Sequence, residues 1–353
     1  MTATTTATTA ATTRSGTMAN ALNQALHDAM RADPSVHVLG EDVGTLGGVF
    51  RITDGLAKEF GEDRCTDTPL AEAGILGTAV GMAMYGLRPV VEMQFDAFAY
   101  PAFEQLVSHV AKMRNRTRGA LPMPITIRVP YGGGIGGVEH HSDSSEAYYT
   151  HTPGLHVVTP GTVADSYGLL RAAIASDDPV VFLEPKRLYW TREEWSADEP
   201  VPPIGTAVLR RPGRSVVLIG YGAGLQVCME AAAAAEEYGL PVAVHDRRSL
   251  VPFDEETVCS AVAAAGRAVI VHEASGFGGA GAELVARITE RCFQSLEAPV
   301  LRVTGFDVPY PPPRLESYHL PSVDRVLDAV ARLQWPADDD DPIREEARRA
   351  VGA

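Results

Sequence analysis

Short runs of β-branched residues alternate with segments of helical periodicity along most of this chain. Such runs include "VHVLG", "PITIRVP" and "PVVFLEP" in the first half, and "SVVLIG", "PVAVHD" and "RAVIVHE" in the second. Strands that alternate with helices build largely parallel sheets with helices packed on their faces. The alternation therefore predicts an α/β protein.

A charged, proline-rich segment, "TREEWSADEPVPPIGT", interrupts this alternation, and a new strand pattern begins at residue 215. The chain has 353 residues, which suits two domains at the usual size of ~150 residues each. We predict a first α/β domain over residues 18–190, a linker over 191–206 and a second α/β domain over 207–335.

The two ends of the chain differ from its body in composition. Residues 1–17 are a low-complexity run of Thr and Ala, and residues 336–353 are strongly charged. The first run lacks the apolar core of a secretion signal, so we predict a disordered tail over residues 1–17. Residues 336–353 are predicted to form a charged, frayed tail. No apolar stretch reaches the ~18 residues of a membrane span, and the four cysteines form no CxxC pair. A reducing cytoplasm is the expected compartment.

The net charge of -15 limits the partners of the chain. Non-specific binding to nucleic acid or to an anionic membrane needs a basic surface, so the charge argues against both. It is compatible with a basic protein partner.

A glycine-rich turn in the second half is close to a dinucleotide-binding fingerprint. "IGYGAGLQ" follows a strand and opens a helix, and the next strand ends in an acid, Asp246. Leu225 stands where the third glycine is expected, and Gly224 comes one residue early. A nicotinamide-binding site is one interpretation, and tight packing at a strand-to-helix turn is the favoured one.

The loop "YGGGIGGVEHHSDSSEAYY" crowds glycines before two histidines. The histidines are open to three interpretations: a catalytic base or acid, solvated surface residues, or members of a metal site. The metal site would comprise Glu139, His140, His141 and Asp143, but adjacent histidines rarely point at one ion, so it is the least favoured.

Glu72 opens a long apolar run in "DTPLAEAGILGTAVGMAMYG". A buried glutamate is rare without a partner, because burial disfavours its charged form. An acid is also favoured at a solvated helix start. The residues alone leave both interpretations of Glu72 open.

Several motifs, in order and spacing, resemble the beta subunits of thiamine diphosphate-dependent 2-oxoacid dehydrogenases. They are "LGEDVGTLGGVFRITDGL", "DTPLAEAGILGTAVGMAMYG", "PAFEQLVSHVAKMR" and "HHSDS". The resemblance extends from Met18 to Leu333. It implies an N-terminal pyrimidine-binding domain with a parallel sheet and a C-terminal transketolase-like α/β domain. The implied reaction is oxidative decarboxylation of a 2-oxoacid with acyl transfer to lipoamide.

The resemblance also implies a substrate class. "GGVFR" and "FLEPKRLYW" are more similar to the branched-chain members of the family than to the pyruvate members. Pyruvate or acetoin dehydrogenase remains the alternative within the family.

The family's cofactor contacts map onto four residues here. The resemblance implies that Glu72 hydrogen-bonds N1′ of the aminopyrimidine of thiamine diphosphate and that Leu70 packs near this ring. It also implies that Gln94 and Phe98 line the pocket, with Phe98 at a position where branched-chain relatives often carry Tyr.

Two further sites are implied by the same resemblance. His141 matches the histidine that donates protons during acyl transfer to the lipoyl arm, whereas His140 falls at a variable position. Family members also hold a structural potassium ion through main-chain carbonyls, and the matching positions here are Ile125, Thr126, Ala173 and Asp178.

An absent motif indicates the partners. In the family, a GDG segment holds the cofactor diphosphate through Mg²⁺, and this sequence contains no GDG. The resemblance therefore implies an alpha subunit that carries the magnesium half of each site, in a two-alpha, two-beta heterotetramer. It also implies docking to a dihydrolipoyl acyltransferase core, whose often basic binding region the negative charge would complement. The alternative of a non-catalytic scaffold subunit is disfavoured by the presence of Glu72 and His141.

Overall fold

The computed structural model describes residues 13–334, which form three β-sheets and the helices packed on them. The predicted tails lie outside the described residues, except for residues 13–17. The strands are β1 (Thr13–Thr17), β2 (Val36–Gly40), β3 (Cys65–Asp67), β4 (Arg88–Glu92), β5 (Thr126–Tyr131), β6 (His156–Val158), β7 (Val180–Pro185), β8 (Arg192–Ser196), β9 (Val208–Arg211), β10 (Val217–Gly220), β11 (Ala243–Asp246), β12 (Ser249–Val251), β13 (Ala268–Ser275) and β14 (Leu301–Gly305).

Most of the helices lie between these strands. The α-helices are α1 (Met18–Ala32), α2 (Leu56–Phe60), α3 (Glu72–Met84), α4 (Phe103–Gln105), α5 (Met113–Arg116), α6 (Glu146–Thr150), α7 (Val163–Ala175), α8 (Ala223–Glu237), α9 (Glu255–Ala265), α10 (Ala280–Cys292), α11 (Glu316–His319) and α12 (Val323–Gln334). Short 3₁₀ segments cover Asp96–Ala102, Glu139–His141, Lys186–Leu188, Phe293–Ser295 and Pro313–Leu315, and a π-helical turn covers Leu106–Val110. No helix among residues 13–334 is long and apolar enough to cross a membrane.

The first domain is built on a seven-stranded sheet with the strand order β12-β6-β7-β5-β4-β2-β3. All neighbours are parallel except β12 and β6. Strand β7 is buried throughout, because Val180 and Phe182 face the core beneath α1 and α7 while Val181 and Leu183 face the core beneath α3. Cover on both faces explains why its sequence is a continuous apolar run.

The second domain repeats this layered plan on a five-stranded sheet with the order β14-β13-β10-β11-β9. Helices α8 and α12 pack on one face and α9 and α10 on the other. Strand β9 is antiparallel to its neighbour, and the other pairs are parallel. The prediction of two α/β domains with largely parallel sheets is confirmed.

The predicted tail and the predicted linker are each wrong in part. Strand β1 lies in the tail and β8 in the linker, and the two pair antiparallel as a two-stranded sheet. Trp195 of β8 is buried against Tyr167, with ring centroids 4.8 Å apart. Because each short polar strand is stabilised by a partner far away in sequence, local pattern alone gives no sign of either.

The glycine-rich turn of the second domain supports the packing interpretation. A Cβ atom at Gly224 would lie 2.8 Å from the main-chain oxygen of Val271, so only glycine fits between α8 and β13. Asp246 is fully buried and accepts a 2.7 Å hydrogen bond from Arg210. This acid is therefore engaged in an ion pair and is not free to bind a ribose.

Candidate active site

Three neighbouring parallel strands of the first sheet end at one edge. Strand β2 ends at Gly40, β4 at Glu92 and β5 at Tyr131, and each is followed by a loop. These loops carry Glu41, Gln94 and His141 in turn. The carboxyl edge of a parallel sheet is where α/β proteins place their ligands.

Glu72 is the first residue of α3 and is half-buried. The residue before it, Ala71, has no side chain that can cap the helix. A carboxylate at this position interacts favourably with the helix dipole, as expected if Glu72 is an acid at a solvated helix start. Glu72 is also close enough to Glu41 for its charge to raise the pKa of Glu41, so it does not stand alone.

Glu41 is a candidate site residue that the sequence prediction missed. It is 9% exposed, and its Oε1 atom has no hydrogen-bond partner among the described residues. Burial, followed by repulsion from Glu72 and Asp42, raises the pKa of this carboxyl. Its position directly after a buried strand, in "LGED", was the available signal. An unpaired buried carboxyl beside a second acid is suited to bind a hydrogen-bond donor.

Gln94, Phe98 and Leu70 differ in their exposure and in their contacts. The Gln94 amide lies 3.4 Å from Oδ2 of Asp42, which ties the loop after β4 to the loop after β2. Phe98 is half-buried and packs edge-on against Phe95 at 5.3 Å. Leu70 is 80% exposed, so its side chain is available for contact with a ligand or a partner chain.

His141 is held more firmly than its neighbour His140. The His141 ring lies edge-on to Phe95 at 4.5 Å and to Phe98 at 5.4 Å, and its Nδ1 atom is buried with no hydrogen-bond partner in the described chain. His140 is exposed and contacts Phe98 at 5.2 Å. Both histidines therefore meet Phe98, but only His141 presents a buried, unpaired ring nitrogen.

The second domain fixes the glycine loop that precedes His141. The Gly133 N–H donates to Oε1 of Glu273, and the Gly134 N–H donates to Oε1 of Glu316 at 2.7 Å. Tyr310 also donates to Glu316 at 2.8 Å. A Cβ atom at Gly133 would overlap the Tyr310 hydroxyl, so glycine is required where the two domains meet.

Asp96 fixes the chain on the other side of His141. It is 1% exposed and accepts hydrogen bonds from the Ser145 N–H at 2.8 Å and the Ser145 hydroxyl at 2.5 Å. Burial raises the pKa of Asp96 to about 6 in spite of these bonds. The loop of His141 is thereby tied to the segment that carries Gln94 and Phe98.

A buried ion network lies behind the site. Arg128 on β5 donates to Glu92 at 2.5 Å and to Glu184 at 2.7 Å, and Tyr189 donates to Glu184 at 2.6 Å. Burial opposes the charge of Arg128, but the two carboxylates outweigh it and raise the guanidinium pKa above its ordinary value. This network joins β4, β5 and β7 beneath the carboxyl edge of the sheet.

The structure bears on both metal interpretations of the sequence. No group of three or more His, Cys, Asp or Glu side chains within residues 13–334 could hold a metal ion, so the interpretation of Glu139, His140, His141 and Asp143 as ligands is wrong. The carbonyl positions proposed for potassium lie at the start of β5 and around the end of α7.

Three of the carbonyls predicted to hold potassium each accept a hydrogen bond. The Ile125 carbonyl accepts from the Val180 N–H at 2.9 Å, the Ala173 carbonyl from the Ser176 N–H at 3.2 Å, and the Asp178 carbonyl from the Ser176 hydroxyl at 2.9 Å. Each carbonyl oxygen keeps a second lone pair. The potassium site, including Thr126, stays a prediction.

Two protein families match the two domains. The transketolase pyrimidine binding domain matches residues 14–191, and the transketolase C-terminal domain matches residues 205–326. A solved structure described as a split gene transketolase, an inactive beta4 tetramer, superposes with a TM-score of 0.75 over 90% of this chain and 98% of that one. Its sequence identity is 22%, so this likeness concerns the fold alone.

Similar proteins of much higher identity are beta subunits. The 3-methyl-2-oxobutanoate dehydrogenase subunit beta of Mycobacterium tuberculosis is 54% identical over 87% of this chain and 88% of its own length. The pyruvate dehydrogenase E1 component subunit beta of Leifsonia xyli is 50% identical over 86% and 90%, and the 2-oxoisovalerate dehydrogenase subunit beta of Pseudomonas aeruginosa is 46% identical over 80% and 85%. The chain belongs to this family of 2-oxoacid dehydrogenase beta subunits, built from a transketolase pyrimidine-binding domain and a transketolase C-terminal domain.

Proposed function

We propose that the chain is the beta subunit of the decarboxylating component of a branched-chain 2-oxoacid dehydrogenase, which transfers the acyl product to lipoamide. The observation that carries this proposal is the 54% identity with the M. tuberculosis protein named for 3-methyl-2-oxobutanoate. The relative named for pyruvate, at 50% identity, makes pyruvate the second candidate substrate.

The residues at the carboxyl edge fit the aminopyrimidine end of thiamine diphosphate. Glu41 offers a buried oxygen without a partner, and Glu72 stands at the start of α3 beside it. Leu70 and Phe98 supply apolar surface for a ring, and Gln94 supplies a polar group. When bound, the cofactor supplies a nucleophilic carbon and the electron sink for decarboxylation.

In this proposal Glu72 binds N1′ of the aminopyrimidine and holds or releases a proton there. The neighbouring Glu41 keeps a proton more readily than an exposed acid, because burial and the charge of Glu72 raise its pKa. Glu41 can therefore keep a proton close to the ring-binding acid at neutral pH more readily than an exposed carboxyl would. A group that exchanges protons with a ring nitrogen needs this property.

His141 is the proposed proton donor during acyl transfer to the lipoyl arm. Phe95 and Phe98 orient its ring, and the unpaired Nδ1 atom is free to take a hydrogen bond from a neighbour or to give one. The second domain and Asp96 hold the loop on both sides. His141 can therefore keep one position while a substrate arm enters and leaves.

An alpha subunit completes the proposed site. The sequence has no GDG segment to hold magnesium and the diphosphate. The outward face of α3 is open, since nothing within the described chain lies within 4 Å of a Cβ atom built at Gly81, and Tyr85 is 87% exposed just after the helix. We assign this face to a partner chain in a two-alpha, two-beta heterotetramer that docks to a dihydrolipoyl acyltransferase in the bacterial cytoplasm.

Calorimetric titration with thiamine diphosphate and Mg²⁺ tests the shared site. We expect no measurable binding to the isolated chain and saturable binding to the heterotetramer, which should decarboxylate 3-methyl-2-oxobutanoate in preference to pyruvate. Tight magnesium-dependent binding by the isolated chain would contradict the shared site. Faster turnover of pyruvate would move the assignment to the second candidate.

A further inference from the structure

A cavity of about 690 Å³ lies between the two domains, and none of the proposed cofactor residues lines it. The first domain contributes α6 and the residues after it, including His151 and Pro153. The second domain contributes residues 247 and 250–253 together with the start of α10. Its volume is within the range of sites for small organic ligands.

Arg247 lines this cavity and is incompletely paired. The side chain belongs to a residue only 5% exposed, and its Nη2 atom donates to the Leu250 carbonyl at 2.9 Å. Its Nε and Nη1 atoms are buried with no hydrogen-bond partner among the described residues. The guanidinium also lies over the Phe253 ring at 4.9 Å. Burial lowers the pKa of Arg247 to about 10, so the group is still charged at neutral pH.

Neighbouring acids within the described chain do not neutralise this charge. Glu146 receives a hydrogen bond from Tyr221, and burial raises the pKa of Glu146 to about 8, so it is mostly uncharged near neutral pH. Glu283 is paired with Arg287 at 2.8 Å, and Arg287 itself adds positive charge near Arg247. A buried cation without a counter-ion is costly for the folded chain.

The start of α10 adds a second anion-binding feature to the same wall. Gly279 is the N-cap and has no side chain to cap the helix, and Gly279, Ala280 and Ala282 all line the cavity. Helix α10 has 13 residues, long enough for a helix dipole whose positive end faces this space.

We propose that this cavity binds a small organic anion whose carboxylate or phosphate group is held by Arg247 and the start of α10. Pro153, Leu250 and Phe253 line the same space and provide apolar surface for the body of the ligand. Because both domains contribute to the walls, the bound anion would hold them together. This inference does not depend on the proposed function.

Titration of the full-length chain with phenyl phosphate and, separately, phenylacetate tests the proposal and distinguishes the two anionic groups. We expect saturable binding of at least one of them, weakened about tenfold or more by Arg247→Met, since one charged contact is lost. The control is Arg291→Met. It removes an exposed arginine of α10 that does not line the cavity, so affinity should be unchanged. Benzyl alcohol, which has no charge, should not bind.

Two measurements keep the proposal falsifiable if the variant folds poorly. Without ligand, Arg247→Met should melt close to wild type, because loss of the Leu250 hydrogen bond and the Phe253 contact is offset by removal of a buried charge without a counter-ion. The anion that binds should raise only the wild-type melting temperature. In wild type, the anion that binds should slow amide exchange at residues 279–281, whereas the Ala282 N–H already donates to the Gly279 carbonyl. Absence of saturable binding by both anions, equal affinity of the variant, or unchanged exchange at these amides would overturn the proposal.

Discussion

The hydroxyl of Tyr221 in the second domain donates a 2.7 Å hydrogen bond to Oε1 of Glu146, the first residue of α6 in the first domain. The other oxygen of this carboxyl, Oε2, is buried without a partner among the described residues. Burial raises the pKa of Glu146 to about 8 from an ordinary value of 4.5. The contact between the domains therefore favours a protonated acid.

Glu146 should make the chain less stable as pH rises. Between its unfolded and folded pKa values the folded chain keeps a proton that the unfolded chain has lost, so the unfolding free energy falls by up to roughly 1.4 kcal/mol per pH unit. We expect Glu146→Gln to flatten this slope in urea unfolding between about pH 6.5 and 8, where Asp96 and Asp246, with pKa values of about 6, are already ionised. Equal slopes for variant and wild type would contradict the assignment.

Arg128→Met should destabilise the first domain severely. The substitution leaves Glu92 and Glu184 buried together without their shared cation, and breaking a buried pair in this way costs about 3–5 kcal/mol. The triple variant with both acids changed to Gln should recover part of the loss. Chemical unfolding of the isolated chain measures both, and a loss below about 1 kcal/mol would show that the network is dispensable.

Glu72→Gln tests the acid at the head of α3. Glutamine keeps the size of the side chain but cannot exchange a proton, so hydrogen–deuterium exchange at C2 of the bound cofactor should fall about 100-fold or more in the heterotetramer. The melting temperature should change little, because a helix-start acid contributes at most about 1 kcal/mol. Glu62→Gln, at an exposed position, is the control. Unchanged exchange would return Glu72 to the role of a helix-start acid.

The two adjacent histidines should differ in the two half-reactions. His141→Ala should slow acyl transfer to lipoamide by about 100-fold, as expected for loss of a proton donor, and should affect decarboxylation less. His140→Ala should be milder in both, because that ring is exposed. Decarboxylation measured with an artificial electron acceptor separates the steps. Similar losses from both variants would remove the distinction.

Two helical glycines should respond to alanine with opposite signs. Gly81→Ala should stabilise the isolated chain by about 0.5–1 kcal/mol, since its Cβ meets nothing, yet weaken assembly with the alpha subunit. Gly281→Ala should destabilise the isolated chain, because its Cβ would lie 2.5 Å from Nε2 of His272. Thermal unfolding and size-exclusion chromatography of the mixed subunits measure these effects. Undiminished assembly of the Gly81 variant would argue that α3 faces solvent in the complex.

Strong local patterns were enough to predict the central elements of the fold. The run "VHVLG" forms the strand Val36–Gly40 as expected, because Val36 and Val38 pack in one core and Leu39 packs in the other. Between β4 and β5, by contrast, the chain forms short 3₁₀, α and π turns in place of one long helix, with Pro101 inside the first of them. The acids Glu72 and Glu41 differ similarly: the first stood out in sequence, whereas the second is recognised only by its burial and unpaired oxygen.

The short strand β12 has a consequence for how the chain is made. It belongs to the second half of the sequence but pairs with β6 at the margin of the first sheet. During synthesis, β6 can pair with β7, but its outer edge stays unpaired until residue 251 has left the ribosome. An unpaired edge can associate with other chains, so the first half, released alone by an early stop or a proteolytic cut, would be prone to aggregate even though its own helices and strands are complete.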